Sequence, residues 1–309
     1  MSARPPRLAD RIEDAALGAA LAGAGLLGAR AAAGVGARIG RLGYRPLGIR
    51  RAQVESNLRI AFPDRGPAWI RRTAAAAYAH IGREAVRTLL AARHPGVVPG
   101  PVRIDGADVL RAGMAAGRGV VLVGGHLGNW ELGVGALATS GFPVTAVVRR
   151  QRNPLFDRRI LGIRRGFGFQ VIDRGHATRP ALEALGRNRI VVLIADQDAR
   201  RTGIFVPFFN RLASTPRGPA VLTHRAGAAL AFFSPIRRPD GTLEVRIEAL
   251  DVERSGAAED IALRITAAYV ARLEQAVRAA PEQYLWHHRR WKTLPPEPSA
   301  AGAAPTHRP

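Results

Sequence analysis

The chain contains no cysteine. Disulfides, thiolate metal sites and thiol nucleophiles are thereby excluded, and the composition suits a reducing compartment. No G-x-S-x-G elbow occurs either, which removes the usual serine acyl-enzyme nucleophile. Lysine is almost missing: Lys292 is the only one, so the formal charge of +22 rests on arginine. H-E-x-x-H spacing is absent, and His287-His288 adjoin without carboxylates at ligand spacing. Gly124-Gly125 completes no phosphate loop, so neither a metal nor a nucleotide cofactor is expected. The Ala, Leu and Gly run from Ala15 to Ala29 would extend only about 22 Å as a helix, short of the ~30 Å hydrocarbon core.

What is present bounds the rest. A chain of 309 residues, 47% of them hydrophobic, can bury a sizeable core. The positive surface attracts anions, so nucleic acid, an anionic membrane face, a phosphorylated lipid and an acidic carrier protein are all compatible with it. The Ala15–Ala29 run reads first as a membrane anchor or interfacial helix. A cleaved leader is disfavoured by Asp10, Glu13 and Asp14 on its flank, and an ordinary core helix is the third reading. For an anchor, the following Arg38, Arg41, Arg45, Arg50 and Arg51 would keep the main domain cytoplasmic. The division expected is a membrane-associated helix over 1–45, a catalytic domain over 46–294 and a disordered Pro- and Ala-rich tail over 295–309.

Helices are expected at Arg50–Phe62, ended by Pro63, and at Pro67–Arg93. Beyond Pro101, short apolar runs alternate with helical ones. Strands are expected at Gly119–Gly124, Pro143–Val148, Gln170–Ile172, Arg189–Ala195, Ala229–Ile236 and Leu243–Ile247. Helices fit at Asn129–Thr139, Pro154–Gly166, Thr178–Gly186, Pro216–Gly227 and Ala257–Ala279. Such alternation argues an α/β fold, a sheet with helices on its faces.

The most informative segment is Val120 to Glu131. A buried strand ends at two glycines, presents His126 in a turn, and enters a helix for which Asn129 is a suitable N-cap. Active sites of open α/β sheets gather at the carboxyl ends of strands. His126 and Glu131 would point about 140° apart on a continuous helix, so they meet only if His126 lies in the turn. Glu131 would then orient the imidazole and raise its basicity. With no covalent nucleophile available, the pair suits direct transfer: His126 takes a proton from an acceptor hydroxyl, which attacks a thioester carbonyl.

Gly125-His-Leu-Gly-Asn-Trp-Glu131 resembles the H-x4-D/E block of the bacterial lipid A lauroyl/myristoyl acyltransferases. Other segments match the family in order: Asn57-Leu58 with Ala61-Phe62-Pro63, Arg149 with Asn153-Pro154 and Asp157, and Asp196-Gln197-Asp198. Val206-Pro207-Phe208-Phe209, Ser214-Thr215 and Gln283-Tyr-Leu-Trp through Lys292 follow. The likeness spans about residues 40–293. It implies a glycerolipid-acyltransferase-like mixed sheet flanked by helices, with an N-terminal membrane-associated helix at the cytoplasmic face of the inner membrane. Acyl carrier protein or CoA thioesters would serve as co-substrate and a lipid A precursor or related glycolipid as acceptor.

Residue by residue, the resemblance makes His126 the base and Glu131 its carboxylate partner. Arg149 becomes a candidate for holding a phosphate or the oxyanion. Asn129, Asp198, Phe208 and Phe209 are assigned to the substrate cleft, and Trp286 and Trp291 are interfacial anchors or ordinary packing. Asn210 departs from the glycine usual after Phe-Phe. A phosphatidylinositol mannoside acyltransferase is the near alternative, although aspartate is typical of that branch at position 131. From other classes, a basic nucleic-acid-binding protein lacks any supporting motif, and a thioesterase would use water in place of the lipid hydroxyl.

Overall fold

The computed structural model describes residues 5–26, 29–91 and 94–296. Four helices come first: α1 (Leu8–Leu26), α2 (Ala29–Tyr44), α3 (Arg51–Ala61) and α4 (Pro67–Leu90). They lead into β1 (Val102–Asp105), α5 (Ala107–Ala115), β2 (Val120–Gly124), α6 (Trp130–Thr139), β3 (Val144–Val148), α7 (Pro154–Gly166) and β4 (Gln170–Asp173). The second half holds α8 (Thr178–Gly186), β5 (Ile190–Ile194), β6 (Ile204–Phe208), β7 (Arg211–Thr215), α9 (Gly218–Ala226), β8 (Ala229–Arg237), β9 (Leu243–Ala249) and α10 (Ala258–Ala279).

Seven strands form one sheet in the order β1-β9-β8-β2-β5-β3-β4, parallel throughout except between β8 and β9. The central strand β2 is buried along its whole length, as expected for a parallel strand covered on both faces. Its side chains alternate: Val121 and Val123 join a core shared with α8, α9 and α10, whereas Val120 and Leu122 join one shared with α6 and α7. Each fully buried aliphatic of this kind contributes roughly 1.5–3 kcal/mol. The expected α/β class and six expected strands are present. The edge strand β1, helix α5 and the hairpin β6–β7 were not expected.

The hairpin turns on Phe209 and Asn210, both left-handed with φ of 52° and 59°. Two consecutive positive φ values suit a two-residue hairpin loop, and asparagine tolerates that region well. The departure from glycine at Asn210 therefore leaves the turn intact.

Positions 27 and 28 of the amino-terminal run lie outside the described residues. Ala15–Leu26 belongs to α1, and α2 starts at Ala29. Among the described residues no helix is long and apolar enough to cross a membrane. Instead α2 lies along α4 at glycines: a Cβ on Gly40 would stand 2.0 Å from the Tyr78 carbonyl oxygen, and one on Gly82 2.1 Å from that of Gly36. Helix α1 docks on α7 through Asp14–Arg159 at 2.8 Å. The tail expected over 295–309 lies almost wholly outside the described residues.

Candidate active site

The parallel pairing of β2 with β5 aligns Gly124 with Ile194. Two residues further along each strand stand His126 and Asp196, side by side at the carboxyl edge of the sheet. Asp196 is 2% exposed and grips His126 at two points. The backbone N–H of His126 donates to Asp196 Oδ2 at 2.8 Å, and ring Nδ1 lies 2.6 Å from Oδ1. Burial opposes the charge on Asp196, but the imidazole, both hydrogen bonds and Arg290 outweigh it and hold the carboxyl at about 2. A carboxylate at that position can only accept. Nδ1 therefore carries the proton, and Nε2 keeps its lone pair. Burial also disfavours imidazolium, but attraction and hydrogen bonding to Asp196, with a smaller contribution from Glu131, raise the His126 pKa above its ordinary value.

The loop bearing His126 is tied down on both sides. Leu285 N–H donates to His126 O at 2.9 Å, Gly128 N–H to Gln283 O at 2.9 Å, and Asn129 N–H to Pro235 O at 3.1 Å. Gly128 has φ of 61°, and a Cβ there would lie 1.7 Å from Pro235 O. Only glycine fits. The C-terminal segment thus brackets the histidine loop, and Asn57 fixes that segment by donating to the carbonyls of Trp286 and His288, each at 2.7 Å.

Glu131 is placed differently from the sequence expectation. It makes no hydrogen bond to His126; its oxygens accept from Arg164 at 3.0 and 2.5 Å, and the Arg164 guanidinium lies over the Trp130 ring. Glu131 and His126 nevertheless line one cavity of about 220 Å³, together with Glu84, Thr88 and Trp130. The carboxylate in contact with the imidazole is Asp196. Its position depends on which strands are neighbours, although the parallel ending of two buried strands at His126 and Asp196 was a usable signal. Gln197 was missed as well: its amide nitrogen is 3.4 Å from His126 Nε2.

Asn129 caps α6, accepting from Leu132 N–H at 3.0 Å, and donates to Glu84 and Thr88 at 3.0 Å each. Its polar atoms join α6 to α4, and the residue also lines the His126 cavity. Glu84 also accepts from Arg237 at 2.9 Å. Burial works against that carboxylate, but Arg237, then Arg87 and His80, lower it to about 2.

Phe208 and Phe209 are buried at 0% and 3% exposure, so they belong to the core and do not line the His126 cavity. Phe208 stacks on Trp291, and Phe209 meets Phe62 and Trp286. Trp286 and Trp291 are buried, which makes them packing residues and not interfacial anchors. Asp198 closes its loop, receiving Thr293 Oγ1 at 3.0 Å while its own N–H donates to His288. Arg149 is exposed just past β3, beside Arg50, Arg150 and Asn153 in a separate cleft. No group of three or more His, Asp or Glu side chains converges at metal-ligand spacing among the described residues.

His126, held by the buried carboxylate of Asp196, thus lines a cavity at the carboxyl end of the parallel sheet. Residues 11–293 match the bacterial lipid A biosynthesis acyltransferase model, and the chain belongs to that family. It is 30% identical to the lipid A biosynthesis lauroyltransferase of Escherichia coli over 84% of this chain and 85% of that one. The palmitoleoyltransferase of the same organism matches at 30% over the same shares. A phosphatidylinositol mannoside acyltransferase of Mycolicibacterium smegmatis is 35% identical over 52% of this chain and 53% of its own. The chain is accordingly an acyltransferase.

Proposed function

We propose that this acyltransferase moves a fatty acyl group from a carrier thioester to a hydroxyl of a phosphorylated glycolipid of the lipid A type. The carrying observation is the His126–Asp196 contact at 2.6 Å, which leaves Nε2 as the one ring nitrogen able to accept a proton. In the proposed step that nitrogen takes the hydroxyl proton as the alkoxide oxygen attacks the thioester carbonyl. The C–O bond forms, the C–S bond breaks, and the proton passes to the departing thiolate. General-base catalysis of this kind supplies roughly 10²–10⁴ in rate, with positioning providing more. Glu131, held by Arg164, acts as the nearby charge that favours the imidazolium formed on the way. Arg149 is retained as a candidate contact for an anionic part of the substrate.

A cavity of about 220 Å³ suits the reacting groups. Ligand sites usually measure ~300–1,000 Å³, so a full acyl chain requires a groove that opens or continues into the bilayer. A dodecanoyl chain would gain on the order of 9 kcal/mol from burial at ~0.8 per methylene. Membrane contact at the cytoplasmic face is proposed through the exposed Leu8, Ile12, Ile39, Leu42, Leu47 and Ile49 of the amino-terminal region, interleaved with arginines. The lipid A-type acceptor is favoured over mannosylated phosphatidylinositol by the longer match to the lauroyltransferase and by glutamate at position 131. Incubating labelled acyl carrier protein with and without a phosphorylated lipid A precursor tests this. Acyl release that ignores the lipid would indicate hydrolysis instead.

A further inference from the structure

Beside the His126 cavity lies a larger one of about 520 Å³, sharing the walls His80 and Gln283 with it. Arginines from three elements line it: Arg41 of α2, Arg83 and Arg87 of α4, Arg237 at the end of β8, and Arg238 beyond it. Like charges gathered in a concave site repel one another more strongly than on an open surface, because little water screens them. Internal acids answer some of this charge. Glu84 takes Arg237 and Arg87, and Glu244 takes Arg238 at 2.5 Å. Arg83 and Arg41 pair with no carboxylate among the described residues, although Glu282 stands on the wall.

Arg83 is half-buried, one helical turn from Arg87, an arrangement that destabilises a helix. Burial, then the repulsion of Arg87, Arg41 and Arg237 against a partial offset from Glu84, lowers its pKa. Holding a half-buried guanidinium among like charges costs free energy. A doubly charged oxyanion would relieve it, and arginine forks match phosphate geometry.

We propose that this cavity is a phosphate-binding site, centred on Arg83 with Arg41 and Arg87, that receives a phosphoryl group next to the reacting centre. The anion site stands on the cavity itself; its use by substrate rests on the acyl-transfer reading above. The phosphoryl group could come from the acceptor glycolipid, from the phosphopantetheine arm of the donor, or from free phosphate.

Calorimetric titration of inorganic phosphate into the full chain in detergent at low ionic strength tests the site without any turnover. Saturable binding is expected, weakened about ten-fold or more by Arg83→Gln, the scale of a lost charged hydrogen bond. The control, Arg179→Gln, removes an exposed charge on α8 and leaves binding unchanged. Equal weakening by both variants, or no binding up to ~10 mM phosphate, overturns the proposal. Unchanged thermal midpoints establish that Arg83→Gln is folded; Arg41→Gln serves if it is not.

Kinetics then separate the sources. A KM rise only with phosphorylated acceptor, absent with its dephosphorylated counterpart, assigns the lipid. A rise only with donors carrying phosphopantetheine, absent with an N-acetylcysteamine thioester, assigns the carrier arm. Phosphate binding with neither KM moved assigns free phosphate. Failure of acyl transfer with phosphate binding intact would refute the activity and leave the site.

Discussion

Replacing Asp196 by asparagine separates the carboxylate that touches the imidazole from the one that shares its cavity. Asp196 uses both oxygens on one residue: Oδ2 accepts the His126 N–H at 2.8 Å, and Oδ1 accepts Nδ1–H at 2.6 Å. Asparagine has the same shape but only one acceptor. If its oxygen faces the backbone, its NH2 faces Nδ1, the ring proton moves to Nε2, and no lone pair remains for the substrate. If its oxygen faces Nδ1, the NH2 opposes the backbone N–H and the loop shifts. Either way a charge-assisted hydrogen bond worth about 1.5–3 kcal/mol is lost, and with it the tautomer, so kcat should fall by about 10²–10⁴. The pH profile supplies the sign. Neutral imidazole is the active form, so wild-type activity is lost as pH falls through a His126 pKa raised above 6.5. Without Asp196 the burial effect is opposed only by the smaller pull of Glu131, and the acidic limb moves to lower pH while the plateau drops. The assay is initial rate against pH with labelled donor and acceptor at saturating concentrations. A variant within about three-fold of wild type, with its acidic limb unmoved, would refute the role given to Asp196.

Further expectations follow from other contacts. Glu131→Gln weakens the pair with Arg164 but leaves the His126–Asp196 contact untouched, so its kcat should fall less than that of Asp196→Asn, as parallel kinetics will show. Gly128→Ala places a Cβ 1.7 Å from Pro235 O at φ of 61°, and chemical denaturation should register a loss above about 2 kcal/mol. Glu84 is held at about 2 against an ordinary 4.5, so its contribution is complete above 4.5 and is lost as pH falls towards 2. That shift corresponds to about 3 kcal/mol, and Glu84→Gln should flatten the acid side of a plot of thermal midpoint against pH.

Much of the fold was legible locally. Helix α7 runs Pro154–Gly166 as expected because Asn153 caps it and proline occupies its first position; α8 also keeps its expected limits. Buried strands such as β2 and β5 declared themselves through unbroken Val, Ile and Leu. The edge strand β1 has only four residues and an exposed start, too little for a period-two signal. The β6–β7 hairpin hid behind Pro207 and a Phe-Asn turn instead of the Asn-Gly that marks such loops. At the site, His126 and the Asn129 cap were visible in a dozen residues. Asp196 lies 70 residues away and reaches the ring only because β5 returns between β2 and β3. Phe208 and Phe209 show the converse: a motif position that suggested a cleft is occupied by core packing that ties the hairpin to the C-terminal segment.

The central claim is that one imidazole removes the acceptor's proton. It is met most directly by His126→Ala, assayed for transfer from labelled acyl carrier protein to a phosphorylated lipid A precursor, with circular dichroism and thermal midpoint matched to wild type. Loss of about 10²–10⁴ in rate with the fold intact is the predicted result. Transfer continuing near the wild-type rate in the folded variant would contradict it.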